Sequence, residues 1–448
     1  MSIHSTVAPQ KMGPMWQQQV LALDAKYNTS RAANHSTVGL LYIRRRSQLL
    51  REKDPKNTET RLQYLKHRAE LLRLRYGNLS DQVSLGSRIS TNVCPTETSS
   101  SNNCRQENIM GSLEIENRFA CVGIHHIFEH HTAPICALKF ANNDRSKLCC
   151  ASYDGTISIC DITKESLSVV ALLEGHKKAV TAIDWSISND LIVSSSLDST
   201  LRLWRVQTDS PPVCLRVVGN RLSCEVLCCA FVPANNNLVV AGTAKGYLRL
   251  LNVSTGIYTP GGSCAIGGKI LSLVCEESGG SLMWAGNDRG NIVSFRLDSG
   301  TGSLVKLTRM NGPGGAVTSL SWRSWLSREI PLPTILVNSA CNLVSLYLVA
   351  NRLGGLALWR QYPIKHRQYP IRSTFCPQMG ACLMASGSED GSIHFLDSTR
   401  DGSVDRVNRL HGHSAPTIAL AFNYDESYLA TVDHQGIVII WRNQQRNS

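Results

Sequence analysis

Residues Leu172 to Val206 read LLEGHKKAVTAIDWSISNDLIVSSSLDSTLRLWRV. Short apolar runs alternate with turn residues, the pattern of a strand meander rather than of helices. The ending of the stretch can be aligned along the chain, as a small residue five positions before an aromatic or bulky apolar one. The pair occurs as Gly155/Cys160, Ser199/Trp204, Gly246/Leu251, Gly290/Phe295, Asn342/Tyr347, Gly391/Leu396 and Gly436/Trp441. Successive turn positions lie 44, 47, 44, 52, 49 and 45 residues apart, close to the spacing of four-stranded propeller blades, with two blades carrying insertions.

A four-stranded antiparallel sheet of this size cannot bury both faces alone, so such sheets stack radially and each covers its neighbour. The last unit, Leu410 to Asn443 (LHGHSAPTIALAFNYDESYLATVDHQGIVIIWRN), repeats the first with Gly412-His413, Asp433 and Trp441 in place of Gly175-His176, Asp198 and Trp204. The chain ends seven residues after Trp441, so the seventh unit has three strands of its own. The strand-like run Phe119 to Phe128 supplies a fourth and fastens the circle, removing two edges that would otherwise invite aggregation.

These units resemble the WD40 repeat. The resemblance implies a buried hydrogen-bonded chain from His176 through a second-strand hydroxyl, Ser194 or Ser196, with Asp198 and Trp204, and a looser version at His413, Asp433 and Trp441. A buried Asp needs donors, which His and backbone N–H groups supply. Asp154, Asp390 and Asp288 stand without an aligned Gly-His, and Lys245 replaces the Asp in the unit ending at Leu251. In those blades the network is expected to be absent and apolar packing to hold the sheets, although His130 or His131 is a candidate stand-in for the first.

The expected architecture is all-β, a seven-bladed WD40-type propeller over residues 119–448. An α-helical basic extension (1–79) and a flexible linker (80–118) precede it. In the extension Trp16, Val20, Leu23 and Tyr27 share one helical face, as do Leu62, Leu65, Ala69, Leu72 and Tyr76. Residues 80–112 hold eleven Ser or Thr and few aliphatics, a composition too polar to bury a core. The formal charge is +12, and residues 26–76 carry 13 Lys and Arg against 4 Asp and Glu. The basic character belongs to the extension.

Length and composition bound the rest. At 448 residues the chain has room for about three ordinary domains or one large repeat ring. With 42% hydrophobic and 18% charged residues it can bury a core. Sixteen Cys, two sets of them adjacent at Cys149-Cys150 and Cys228-Cys229, are too sparse for a disulfide scaffold and read as buried fillers in a reducing compartment. Met1 to Gln10 offers no signal-peptide core, which points to the nucleus, with the cytoplasm as a second location. The uncharged Pro331 to Asn351 has membrane-span length but splits into strand-like Thr334 to Val337 and Leu343 to Val349, so no membrane contact is expected.

Chemistry is weighed against structure at four places. His125, His126, Glu129, His130 and His131 fit no zinc spacing, and on a strand His125 and His126 would face opposite sides. Cys224, Cys228 and Cys229 lack a second ligand pair, and no Cys-x-x-Cys occurs. Gly261 to Lys269 (GGSCAIGGK) approaches a phosphate loop but has Ser263 for its first Gly and Ile270 for the magnesium-binding Ser or Thr, so it reads as a turn between blades. The sequons at Asn28, Asn34 and Asn78 are chance matches without secretion. No nucleophile with its base and no carboxylate pair stands out. The reading is of no enzyme, no catalytic residue, no metal, no cofactor and no small-molecule substrate.

Three functions follow. The first is a non-enzymatic nuclear scaffold whose ring docks other proteins in multi-protein, transcription-regulatory complexes. A closer resemblance to one vertebrate WD-repeat protein, carried by Trp16 to Asn28, Tyr42 to Glu52, Gln63 to Gly77 and the runs SNDLIVSSSLD, PANNNL and HGHSAP, implies the same. The second is association with nucleic acid or chromatin through residues 26–76, where Arg44, Arg45, Arg46, Arg73 and Arg75 could meet phosphates, an acidic partner or import machinery. The third is an E3 ubiquitin ligase substrate receptor, drawn from what many WD40 proteins do. The Trp-Asp-x-Arg ending of such receptors is matched neither at Trp204-Arg205 nor at Leu396 to Arg400.

Overall fold

A computed structural model describes residues 123–442 apart from 164–167, 208–209, 220–222, 234, 277–280, 299–300, 324–331, 377–382 and 399–405. The helical extension, the linker, residues 119–122 and Arg44, Arg45, Arg46, Arg73 and Arg75 lie outside the described residues. Within them the fold is all-β, with strands arranged as seven four-stranded antiparallel sheets.

Blade one is β2 (Ile135–Phe140), β3 (Lys147–Ser152), β4 (Ile157–Asp161) and β5 (Ser168–Leu173). Blade two is β6 (Val180–Trp185), β7 (Leu191–Ser196), β8 (Thr200–Gln207) and β9 (Ser210–Gly219). Blade three runs through β10 (Val226–Val232), β11 (Asn235–Thr243), β12 (Tyr247–Asn252) and β13 (Ile257–Ala265). Blade four holds β14 (Ile270–Cys275), β15 (Leu282–Asn287), β16 (Asn291–Asp298) and β17 (Ser303–Asn311). Blade five consists of β18 (Val317–Arg323), β19 (Thr334–Ser339), β20 (Leu343–Val349) and β21 (Leu356–Pro363), and blade six of β22 (Ser373–Phe375), β23 (Leu383–Ser386), β24 (Ser392–Asp397) and β25 (Arg406–His411).

Blade seven joins the two ends of the ring. Its inner strands are β26 (Thr417–Phe422), β27 (Tyr428–Asp433) and β28 (Val438–Arg442), and its outermost strand is β1 (Gly123–Phe128). Ile127 pairs with Ile439 and Phe128 with Val438. The innermost strands meet in order around the circle, and β26 packs on β2 to close it. Phe128, Ile135, Leu138, Tyr428 and Ile440 form the closing seam, each worth roughly 1.5–3 kcal/mol of apolar burial.

Burial follows position in the blade. Ile192 to Ser196 of β7 are all buried, because a neighbouring sheet covers each face. The outer strands expose aliphatics on the ring's flank, among them Val170, Leu172, Val213 and Val217. Nine of the twelve described Cys are buried, and all twelve are free thiols. Burial pushes Cys136 up to about 11 and Cys228 up to about 12.

Two expectations change. Gly261 to Ala265 lies in β13, so only Ile266 to Lys269 connects the blades. The His125 and His126 rings do not face apart, since a bulge at Ile124/His126 brings their centroids to 4.1 Å. Among the described residues no helix is long and apolar enough to cross a membrane. Thr334 to Val349 is a hairpin of β19 and β20.

Candidate functional site

The end of the ring where each chain segment enters its blade is the candidate interaction face. Each turn between the second and third strands also lies at this end. Its left-handed position is the small residue of the repeat. Gly155, Ser199, Gly246, Gly290, Asn342, Gly391 and Gly436 all have φ between 65° and 88°. Glycine takes that conformation freely, and Asn and Ser tolerate it at some cost.

A second feature is common to all seven blades. The residue two before each left-handed position donates its N–H to the entering loop, at the residue just before the first strand in six blades and, in blade six, at Lys365 near the start of a longer loop. The bonds are Tyr153 to Pro134, Leu197 to Ala179, Ala244 to Glu225, Asp288 to Lys269, Ala340 to Ala316, Glu389 to Lys365 and His434 to Pro416, at 2.9–3.0 Å. Since the bond needs only backbone, it survives where the side-chain network has been lost. It latches every turn to its loop.

Side chains add to the latch unevenly. In blade two, Asp198 Oδ2 lies 2.9 Å from His176 Nδ1 and accepts the Lys177 N–H at 3.0 Å. His176 Nε2 is 2.8 Å from Ser194 Oγ, which accepts the Trp204 Nε1–H at 2.9 Å. An ionised carboxylate only accepts, so Nδ1 carries the proton, and the Ser194 hydroxyl must donate to Nε2. Burial holds His176 below its ordinary pKa against the pull of Asp198, keeping the ring neutral. Burial alone would raise Asp198. Hydrogen bonds from Thr200 and His176 outweigh it and hold the carboxyl at about 2. The hydroxyl is Ser194; Ser196 instead donates to the Lys178 carbonyl.

Blade seven keeps the tryptophan–hydroxyl–histidine part of the chain, with a displaced acid that stands farther from the histidine. Trp441 Nε1–H donates to Thr431 Oγ1 at 2.8 Å, His413 Nε2 lies 2.7 Å from the same hydroxyl, and His413 Nδ1 is 3.3 Å from Asp433 Oδ2. Asp433 Oδ1 also accepts the N–H groups of Gln435 and Ile437. Standing two positions earlier, it caps its own turn as well as facing the histidine.

Blade one departs from the expected absence, and of the two candidate stand-ins, His130 and His131, it is His131 that enters the network. His131 Nδ1 is 3.0 Å from Asp154 Oδ2, and Nε2 is 2.8 Å from Ser158 Oγ. The hydroxyl comes from the third strand because Cys150 and Cys160 occupy the places that Ser194 and Trp204 hold in blade two. Blade four has no histidine, yet Asp288 Oδ1 accepts the Lys269 N–H at 2.9 Å. Trp284 stacks on Trp322 of blade five at 5.1 Å, so apolar packing contributes as expected. In blade six Asp390 pairs with Arg409, while Glu389 Oε1 accepts the N–H groups of Arg367, Gln368 and Tyr369. Glu389 had no signal in the repeat pattern, because its partners are backbone atoms of a loop longer than its counterparts.

Cations predominate among the exposed charges of this face. Asp154, Asp198, Asp288 and Glu389 are turned onto loop N–H groups. Lys177, Lys178, Lys269, Arg289, Lys365 and Arg367 are exposed, as is Glu174. Among the described residues no group of three or more His, Cys, Asp or Glu could hold a metal. The His-rich run is divided between β1 and the His131 network.

Fold and turns together define a seven-bladed β-propeller. Residues 123–161, 167–205 and 405–442 match the WD40 repeat (WD domain, G-beta repeat). Each match begins on an outermost strand and ends on the third strand of the next blade, as in β1 followed by β2 to β4. That offset is why closure needs β1.

Two of the relatives are named as WD repeat-containing proteins and match at low identity. The chain is 27% identical over 160 residues to WD repeat-containing protein SL1-17 of Schistosoma mansoni, covering 36% of this chain and 51% of that protein. It is 25% identical over 314 residues to WD repeat-containing protein WDS homolog of Arabidopsis thaliana, covering 61% and 57%. Pre-mRNA-processing factor 19 of Homo sapiens matches at 36% over 84 residues, 19% of this chain and 16% of that protein. The matches thus span about half of the first two relatives' length and far less of the third.

Proposed function

We propose that the protein is a non-enzymatic scaffold whose propeller docks protein partners in multi-protein nuclear complexes, with transcription regulation as the setting. The supporting observation is the set of seven backbone latches. A face whose loops are tied before a partner arrives loses little conformational entropy on binding. The exposed cations of that face outnumber its exposed carboxylate, Glu174, and favour acidic partners. The name of pre-mRNA-processing factor 19 places that relative in pre-mRNA processing, which agrees with a nuclear setting. The N-terminal runs, together with SNDLIVSSSLD, PANNNL and HGHSAP, also resemble WD repeat-containing protein 13 of vertebrates, and this likeness supports the same reading.

A second reading rests on the net charge of residues 26–76, where Arg44, Arg45, Arg46, Arg73 and Arg75 would tether the chain to nucleic acid. One experiment separates the two. The full chain is purified from nuclear extract with and without nuclease, and the bound proteins are identified by mass spectrometry. The scaffold reading expects partners that survive nuclease. Loss of all of them would move the basic segment to first place.

A further inference from the structure

The inner strands leave a channel whose wall carries few charges. Lys139 of β2 and Asp184 of β6 pair with each other, and Asp184 Oδ2 also accepts the Phe231 N–H at 2.7 Å. They neutralise one another. A cavity of about 160 Å³ lies in the channel, bounded by inner strands of blades one to five and by Arg372.

Arg372 is held differently. It precedes β22, with its backbone fixed by N–H donation to the Ile418 carbonyl at 2.8 Å. From blade six its side chain crosses the channel, bringing Nη2 to 3.5 Å from the Thr181 carbonyl on blade two. Its charge also reaches Cys136 of blade one and Cys228 of blade three, opposing the effect of burial on both. Arg372 is half-buried, and among the described residues no carboxylate lies within ion-pair distance of it. A guanidinium has five N–H donors in a planar fork suited to a carboxylate. One long bond to a carbonyl leaves most of that capacity unused, at the end of the channel that also carries Tyr153, 41% exposed, and the exposed lysines.

We propose that this mouth of the channel receives an acidic segment of a protein partner, with one Asp or Glu carboxylate taking the fork of Arg372 and the exposed lysines meeting its flanking acids. The inference rests on the scaffold reading and adds the chemistry of the partner. A nucleic acid is the less suited occupant. Its phosphates carry charge on a wide backbone, whereas the cation here is a single fork inside a narrow channel lined by Ala137, Ala182 and Ser272.

The test uses the full chain and two fluorescent probes, an eight-residue poly-glutamate peptide and a single-stranded oligo-dT, with affinities read by polarisation at 0.15 M salt. Arg372→Gln should weaken peptide binding at least tenfold and leave oligo-dT unchanged, while Arg44, Arg45 and Arg46 changed together to Ala should leave an Arg372-dependent component of peptide binding. Peptide binding lost only in the arginine-triplet variant overturns the proposal, as does an equal loss of oligo-dT in Arg372→Gln. Circular dichroism melts of both variants guard against misfolding, and Arg372→Lys, which keeps charge but not the fork, should recover only part of the affinity. In nuclear extract, Arg372→Gln that retains every partner overturns this site while leaving the scaffold intact. Wild type that captures none removes both.

Discussion

Replacing Asp198 by Ala isolates what the side-chain network adds to the backbone latch. Asp198 accepts from His176 Nδ1, from the Lys177 and Thr200 N–H groups and from the Thr200 hydroxyl at 2.6–3.0 Å. After truncation the Lys177 N–H can turn to water. His176 cannot, because its side chain is 0% exposed, and only Thr200 Oγ1, at a long 3.3 Å, stays within reach of its Nδ1–H. A buried donor left with so poor an acceptor costs about 1–2 kcal/mol, and the lost bonds to a charged acceptor add about 1–2 kcal/mol once solvent access is allowed for. The expected loss is about 3 kcal/mol, read as a lower urea midpoint by circular dichroism on the full chain. Lys245→Ala is the control, since Lys245 holds the same turn position in blade three and is exposed; it should change stability by less than about 0.5 kcal/mol. The pH dependence has a definite sign. The folded carboxyl sits at about 2, below its ordinary 3.8, so its stabilisation is complete above pH 4 and fades as pH falls toward 2. The gap between wild type and Asp198→Ala must shrink over that window. A loss no larger than that of Lys245→Ala, or a gap that widens on acidification, would sink the argument.

The other expectations are shorter. Trp204→Phe removes the N–H that reaches Ser194 and leaves a void where the buried indole packed, while His176 stays bonded to the same hydroxyl, so it should cost about 2 kcal/mol in urea titration. Gly246→Ala should cost at least about 2 kcal/mol, since φ is +79° and the new Cβ would sit 2.4 Å from the Gly268 carbonyl oxygen; Ser199→Gly, at φ 67°, should instead hold or raise the melting temperature. Burial holds His366 at about 4. Its folded pKa is below the unfolded value, so the unfolded chain binds the extra proton and stability falls as pH drops from 6.5 toward 4. His366→Gln should flatten that slope in melts at pH 7, 5.5 and 4.5.

The parts of this fold that were legible in sequence are those that a local residue type enforces. A left-handed turn residue must be small or amide-bearing, so Gly155 through Gly436 marked seven turns. One whole copy of the network and a second with a displaced acid were visible because His176 and His413 each follow a glycine. What escaped depended on partners that the repeat does not fix. His131 binds Ser158 across the sheet because a cysteine stands where the second-strand serine would be. Glu389 binds backbone N–H groups, which have no residue signature. Arg372 acts across the channel, 191 positions from its carbonyl partner, and no periodic reading connects blade six with blade two.

The latches explain how such degenerate repeats keep one geometry. If each blade depended on its His–Asp chain, blade three, with Lys245 in the acid's place, would be free to shift its turn, and the face would lose register there. Ala244 instead donates to the Glu225 carbonyl at 2.9 Å, as its counterparts do in every other blade. Because the bond is made by backbone, residues at the turn are free to vary in charge and size without loosening the loop beneath them. That freedom lets Tyr153, Leu197, Ala244, Asp288, Ala340, Glu389 and His434 occupy equivalent places around the channel mouth with seven different neighbourhoods. Specificity for a partner can then be written into side chains at fixed positions, with the ring supplying their spacing.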